Sequence, residues 1–123
     1  MVITYGVRGD DLPMDFLVIV DEDRQLLRMV SPFQFKMDEA KRVEGAIITC
    51  AATERIANGC FDYDFSDGSI SFRMNQIFMD CEIGEELIRY MINVSVQTVD
   101  EYNDKFFMVS KGMTSLDDFL GSL

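Results

Sequence analysis

The feature that most constrains the fold is a strict alternation of apolar and polar residues between positions 61 and 74. Apolar side chains occupy every second position on both sides of Asp67-Gly68, a dipeptide typical of a tight hairpin turn. The pattern predicts two antiparallel strands with one buried face, and it breaks at Asn75-Gln76, where a bulge or bend is expected. A two-residue loop would give these facing pairs: Phe65 with Ile70, Tyr63 with Phe72, Phe61 with Met74 and, on the opposite side, Asp62 with Arg73.

The first third of the chain predicts three further strands. These are Val2–Val7, then Met14–Val20 after a turn-rich connection over residues 8–13, then Gln25–Ser31. The continuous apolar run of Met14–Val20 predicts burial on both faces of that strand. Pro32 is expected to end the third strand because proline lacks the backbone donor that a ladder needs.

Two segments have helical periodicity. A first helix is expected from Asp38 to a stop at Asn58-Gly59, and a second from Glu85 to Lys111-Gly112, followed by a short amphipathic tail, Thr114–Leu123. The residues that recur at helical spacing in the first helix are Val43, Ile47, Cys50 and Ala51. Those of the second form an apolar stripe: Leu87, Ile88, Met91, Ile92, Ser95, Val99, Tyr102, Phe106 and Val109.

This element order predicts one α+β domain spanning residues 1–123. Three strands, a helix, a hairpin and a long helix favour an antiparallel sheet of about five strands with helices packed on it in two layers. The length of 123 residues is close to the commonest domain size, and an apolar fraction of 48% is sufficient for a core.

The charge balance excludes some partners. The chain has 11 basic and 22 acidic residues, a formal charge of −11, which repels phosphate backbones and anionic lipid. We therefore expect neither nucleic-acid nor membrane binding, and the acidity serves either solubility or a basic partner. No apolar run approaches the about 18 residues of a membrane span, and the first residues lack a signal-peptide pattern, so a cytoplasmic location is expected.

The sequence contains none of the usual catalytic motifs. It has no histidine, which rules out Ser–His and Cys–His nucleophile systems, and it has no P-loop, GxGxxG or GxSxG motif. Cys50, Cys60 and Cys81 make an odd count without CxxC spacing, which indicates reduced, packed thiols. We expect no enzyme activity and no cofactor.

One group of carboxylates invites a calcium interpretation. Asp62, Asp64 and Asp67 precede Gly68, but the third acid comes one residue late and Arg73 stands where a bidentate glutamate is needed. The hairpin accounts for the same residues, so no metal site is expected.

Three groups of apolar residues are candidates for protein contacts. The nine methionines are more than expected, and core filling is the first interpretation of those in apolar segments, while adaptable methionine-rich surfaces also bind peptides. The candidates lie on the predicted first strand edge, between the third strand and the first helix, and in the tail: Ile3, Tyr5 and Val7; Phe33, Phe35 and Met37; Leu116, Phe119 and Leu120.

The hairpin and its flanks resemble a known family. The segments Asn58-Gly59-Cys60-Phe61-Asp62-Tyr63-Asp64 and Asp67-Gly68-Ser69-Ile70-Ser71-Phe72-Arg73, followed by a long helix that ends at Gly112, are similar to those of the YbjN family. Its members are described as bacterial sensory transduction regulators and share the fold of type III secretion chaperones. The resemblance covers most of Asp38–Gly112 and implies a small acidic domain, often dimeric, that binds protein and has no established catalysis.

The chain departs from that family pattern at its start. The chaperone folds usually open with an amphipathic helix that helps to form the partner groove, whereas this chain begins in a strand at Val2. A sheet edge is then expected to be left for pairing with another chain.

These observations lead to two functional hypotheses. The first is a non-enzymatic protein-binding module, chaperone-like or regulatory, that forms a homodimer and binds a protein partner. The alternative is a small-molecule sensor domain with an apolar pocket between sheet and helices.

Overall fold

The structure, a computed structural model, describes residues 1–8 and 13–123, with only the backbone of Val7 and Arg8. The elements in chain order are β1 (Val2–Arg8), β2 (Pro13–Asp21), β3 (Leu26–Lys36), α1 (Arg42–Arg55), β4 (Cys60–Asp64), β5 (Ser69–Ile77), α2 (Glu85–Ser110) and α3 (Leu116–Ser122). A 3₁₀ turn, Glu39–Lys41, precedes α1. The turn predicted over residues 8–13 lies, apart from its two ends, outside the described residues.

The five strands form one antiparallel sheet in the order β1-β2-β3-β5-β4. The helices pack on one face, α2 over the central strands β3 and β5 and α1 over β4. The fold is therefore a two-layer α+β arrangement, which confirms the architecture predicted from the sequence.

The core lies between the sheet and the two long helices. Side chains at alternate positions of β2, β3 and β5, such as Phe16, Met29 and Phe72, are almost completely buried. From the helical side Phe106 meets them, with its ring 5.1 Å from that of Phe61 and 5.8 Å from that of Phe119 in α3. An aromatic cluster thus joins the sheet, α2 and α3.

The β4–β5 hairpin has the predicted strands but a different register. Phe61 lies opposite Phe72 and Tyr63 opposite Ile70, two residues away from the predicted pairing, because the loop has four residues, 65–68, and not two. The shift is an even number, so the same side chains still face the core. Phe65 is the exception, since it leaves the strand for the loop and is 57% exposed.

The third strand does not end at Pro32 as predicted. It continues to Lys36, with Pro32 opposite Ser71, and the register shifts between Pro32 and Lys36. Proline is tolerated because β2 pairs with β3 only as far as Val30, so the ladder needs no donor from Pro32 on that side. The irregularity expected at Asn75-Gln76 is therefore found on the neighbouring strand instead.

The long helix α2 buries the predicted stripe. Six residues of the stripe are buried: Met91, Ser95, Val99, Tyr102, Phe106 and Val109. Only Ile88 of the predicted stripe is exposed, at 36%. The tail also forms the predicted amphipathic turn, α3, whose Ser115 hydroxyl accepts a hydrogen bond from the backbone N–H of Asp118 at 3.1 Å.

The shorter helix α1 presents a different face to the sheet from the one expected. Its buried residues are Gly45, Ile48, Thr49 and Ala52. Val43 is 58% exposed and Ile47 39% exposed. The helix lies so close to β4 that a Cβ atom on Gly45 would stand 2.5 Å from the hydroxyl of Tyr63. Only a small side chain fits at Gly45, so Val43 and Ile47 point away from the sheet, although Ile48 is buried.

The strand β2 is buried on one face only, contrary to the prediction. Met14 and Phe16 face the helices and are buried, whereas Leu17 and Ile19 are half-buried on the opposite face. Within residues 1–8 and 13–123, no helix lies over that opposite face of the sheet.

Candidate protein-binding surfaces

The predicted contact residues of β1 are only partly available. Ile3 is 50% exposed, but the ring of Tyr5 stacks on Phe16 at 5.1 Å, and burial raises the pKa of its hydroxyl. The side chain of Val7 lies outside the described residues. β1 is the last strand of the sheet on its side, so its outer edge is left without a partner strand in the described part of the chain.

The segment from Phe33 to Met37 is not the exposed apolar surface that was expected. Met37 is 1% exposed, and Phe33 and Phe35 are half-buried. The Phe33 ring lies 5.7 Å from that of Phe106, and the Phe35 ring 5.3 Å from that of Phe107. Because β3 extends through this segment, its alternate side chains reach the α2 layer.

The tail residues are also more buried than a contact site requires. Phe119 is buried against Phe106, Leu116 is half-buried, and only Leu120, at 38%, is exposed. The second and third predicted groups thus meet in the core through Phe106, and the β1 group lies apart at the sheet edge.

The apolar surface that the sequence did not assign lies on α1. We call it the α1 face, formed by Val43, Ala46, Ile47, Cys50, Ala51 and Phe65. A crevice of about 450 Å³ runs between α1 and β4 beside Ala46, Cys50 and Phe65. A shallow hollow of about 640 Å³, lined by Ile47 and Ala51, shares Ala46 and Cys50 with it. The two are continuous, so the apolar residues form one surface and not scattered contacts.

Polar contacts hold the loop that brings Phe65 to this face. The carboxylate of Asp64 accepts hydrogen bonds from the backbone N–H and hydroxyl of Ser66, and Arg42 donates to the carbonyl of Ser66 at 2.8 Å. The carboxylate of Asp67 accepts from Ser69 and from the Lys36 ammonium. These bonds lower the pKa of Asp67 to about 2.

A second apolar hollow lies where the sheet meets the start of α2. We call it the α2 groove, an open depression of about 480 Å³ lined by Val20, Leu27, Phe78, Cys81, Glu82, Ile83 and Ile88. The backbone N–H of Phe78 donates to the carbonyl of Gln25 at 2.9 Å. That bond fixes the connection from β5 to α2 against the β2–β3 turn and so shapes one wall of the groove.

The three thiols are free, but the expectation that all are packed is wrong. Cys50 and Cys81 are exposed, one on the α1 face and one in the α2 groove, and Cys60 is half-buried. Burial and the neighbouring Asp62 carboxylate raise the pKa of the Cys60 thiol, which lowers its reactivity.

The carboxylates of the hairpin are engaged in local contacts. Arg73 donates to Asp62 through Nε at 2.7 Å and Nη2 at 3.1 Å, across the diagonal of the ladder and not directly opposite as predicted. In residues 1–8 and 13–123, no three His, Cys, Asp or Glu side chains are grouped so as to hold a metal ion.

Comparison of the chain with protein-family models, with curated proteins and with solved structures finds no match. Among the described residues, no helix has the length and apolar character needed to cross a membrane.

The sequence carried a signal for the α1 face that periodicity alone could not assign. Val43, Ile47, Cys50 and Ala51 were recognised as one helical stripe, but a stripe does not state what covers it. Next to it on the helix lies a stripe that contains the small residues Gly45 and Ala52. It is this stripe of small residues, and not the one with Val43 and Ile47, that faces the sheet. Phe65 was missed because the hairpin loop is longer than its Asp-Gly sequence predicts.

Proposed function

We propose that this chain is a non-enzymatic protein-binding module, chaperone-like or regulatory, that acts as a homodimer in the cytoplasm. The observation that carries the proposal is the α1 face, where β-branched Val43 and Ile47 and aromatic Phe65 are exposed together. A contiguous apolar surface on an otherwise strongly acidic chain is typical of a protein interface. The similarity of the hairpin to the YbjN family supports the same proposal.

A second copy of the chain is the occupant that best fits the α1 face. The small residues Ala46, Cys50 and Ala51 on this side of the helix allow another helix to approach closely. Two α1 helices crossing about a twofold axis would each place Ile47 against the hollow of the other, which is an isologous contact. β4 is the last strand on this side of the sheet, so its outer edge is adjacent and can extend the interface.

The first test is the solution mass at several protein concentrations. We expect light scattering of the unaltered chain to give twice the monomer mass of 14.1 kDa. Ile47→Asp places a charge at the centre of the proposed interface and is expected to give monomers without loss of folded structure in circular dichroism. Met113→Asp is the matched control, since Met113 is 67% exposed and lies between α2 and α3; it should remain dimeric.

Salt gives a second readout on the same samples. Each copy carries a formal charge of −11, so the two copies repel one another at low ionic strength. Raising the salt shortens the screening length to about 8 Å at about 0.15 M and should strengthen the dimer. A monomer at every concentration and salt would contradict the homodimer, and dissociation of the Met113→Asp control would show that added charge, not the α1 face, governs association.

The alternative function is a small-molecule sensor domain. The α2 groove favours it in one respect, since it lies between the sheet and a helix and its volume is in the range of ligand sites. Such sites usually enclose most of the ligand, whereas this groove is open along one side, which fits a peptide segment better. A small ligand that raises the melting temperature of the unaltered chain, and does so less in an Ile88→Asp variant, would favour the sensor instead.

A further inference from the structure

The α2 groove combines an apolar floor with an unusual concentration of negative charge. Its floor is made by Val20, Leu27 and Phe78 from the sheet side and by Ile83 and Ile88 from the α2 side. Ile88 is 36% exposed, and Met79, which follows Phe78 in the chain, is 64% exposed. The floor therefore offers apolar contact to something that does not belong to the folded chain.

The two segments that border the groove are strongly acidic. Residues 21–24 and 80–89 contain seven acidic and two basic side chains, a difference of five negative charges. The two arginines are paired within these segments, Arg24 with Asp21 at 3.7 Å and Arg89 with Glu85 at 2.8 Å. Glu82 lines the groove directly. The border thus presents carboxylates beside an apolar hollow, and its cations are already engaged.

We propose that the α2 groove binds a cationic amphipathic segment of a partner protein. One or two large apolar side chains of the segment would fill the hollow, while its Lys or Arg side chains would face Glu82 and the acidic β2–β3 turn. Apolar contact supplies the affinity and opposite charge supplies the selectivity, because an acidic segment would be repelled by the border.

The charge of the chain argues against a second copy as the occupant. With 22 acidic residues against 11 basic ones, this chain would bring more negative charge to a border that already carries an excess. The occupant is therefore a different protein, and the groove deepens the proposed protein-binding function by naming the chemistry of the partner. It lies on other elements than the α1 face, so the two surfaces can be tested separately.

The probe is a labelled peptide of leucine and lysine, about 15 residues long, with leucine at helical spacing. Its control has the same leucine positions and glutamate in place of lysine. We expect the cationic peptide to bind in fluorescence anisotropy, with affinity that falls as salt rises, and the anionic peptide not to bind.

A chain of net charge −11 attracts any cationic peptide, so the variants are matched in charge. Glu82→Lys changes a carboxylate that lines the groove, and Asp104→Lys makes the same change of net charge at an exposed position elsewhere on α2. We expect Glu82→Lys to weaken binding by about tenfold or more and Asp104→Lys by much less. Equal loss in both variants would overturn the proposal, because it would mean that the peptide senses only the total charge.

Two exposed thiols report on the site in the unaltered chain. Cys81 lines the α2 groove and Cys50 lies on the α1 face, so the rate of alkylation of each can be followed by peptide mass mapping. Bound cationic peptide should slow modification of Cys81 severalfold and leave Cys50 unchanged, whereas dimerisation should slow Cys50 alone. This readout requires no substitution and is unaffected if a variant fails to fold.

The outcomes separate this inference from the proposed dimer. A monomeric chain in which the peptide still protects Cys81 would refute the homodimer and support the groove. A dimer in which the peptide protects neither thiol, or protects both equally, would refute the groove and leave the dimer standing.

Discussion

The two long helices pack on the same sheet by opposite means. α2 buries large side chains, including Met91, Tyr102 and Phe106, along a stripe that its sequence shows clearly. α1 buries Gly45 and Ala52 together with Ile48 and Thr49, and turns Val43 and Ile47 outward. Thus α2, whose apolar periodicity is clear in the sequence, builds the core. The periodicity of α1 is weaker, and this helix carries the exposed apolar surface.

The difference shows that apolar content and burial are separate properties of a helix. In α2 large buried side chains fill the space between the helix and the sheet. In α1 the distance to β4 is set by Tyr63, whose hydroxyl donates to the carbonyl of Arg42 at 2.7 Å. A small residue is needed at Gly45, so Val43 and Ile47 on the other side of α1 stay available for a partner.

The largest expected effect comes from comparing a phenylalanine of each region. Phe106 is fully buried, so Phe106→Ala should lower the free energy of unfolding by about 3–5 kcal/mol. Phe65 belongs to the α1 face and is 57% exposed, so Phe65→Ala should change it by no more than about 0.5 kcal/mol. Urea unfolding of both variants checks the pair, with monomers used for both because dimer formation adds stability.

A large loss in Phe65→Ala monomers would break the comparison, since it would place that side chain in the core of the folded chain. A small loss of stability in Phe106→Ala would also contradict the comparison, because it would mean that α2 does not organise the aromatic cluster through this side chain.

The next effect concerns the close approach of α1 to β4. Gly45→Ala would put a Cβ atom 2.5 Å from the Tyr63 hydroxyl and 2.7 Å from Cγ of Met37. We expect a loss of about 1–3 kcal/mol, although alanine favours a helix, because Tyr63 must move from its hydrogen bond. Gly121→Ala in α3 is the control, since nothing lies within 4 Å of that position; it should be neutral or stabilising by up to about 1 kcal/mol. A stable Gly45→Ala protein would show that the close contact is not required.

The same contrast explains which parts of the fold the sequence could predict. The α2 stripe and the alternation of β4 and β5 are local periodicities, and each was read correctly as to type and buried face. The predicted register of the hairpin is wrong, because Asp67-Gly68 is typical of a two-residue turn whereas the loop has four residues. Nothing in the local pattern distinguishes the two, since the shift by two preserves the faces.

The candidate surfaces were harder to predict than the fold because exposure depends on packing between distant elements. Phe33, Phe35 and Met37 follow a proline, and no local pattern in the sequence indicates which residues cover them. In the structure β3 continues past Pro32 and brings Phe33 against Phe106 of α2. Val43 and Ile47 have the right spacing for a core, yet Gly45 faces the sheet instead. A periodicity identifies an apolar face, but not whether the same chain or another covers it.

The smallest expected effect comes from Asp67 in the β4–β5 loop. It tests whether polar contacts alone determine the conformation of the loop that places Phe65 beside α1. The pKa of Asp67 falls from its ordinary value of 3.8 to about 2, chiefly through its hydrogen bonds to Ser69 and then to Lys36. A carboxyl with a lowered folded pKa contributes stability above its unfolded pKa and loses it as the pH falls through the folded value. Asp67→Asn should therefore lower the melting temperature slightly at pH 7, and the difference from the unaltered chain should shrink between about pH 4 and about pH 2.

Thermal unfolding by circular dichroism over that pH range is the measurement, with Asp104→Asn, an exposed aspartate of α2, as the control. A difference that persists unchanged to the lowest pH would mean that the shape of the side chain matters and not its charge. No difference at pH 7 would mean that Arg42 and Asp64, which bind Ser66, are sufficient to hold the loop. In the first case the position of Phe65 on the α1 face would depend on how the Asp67 side chain packs, and in the second it would depend on the contacts of Arg42 and Asp64 with Ser66.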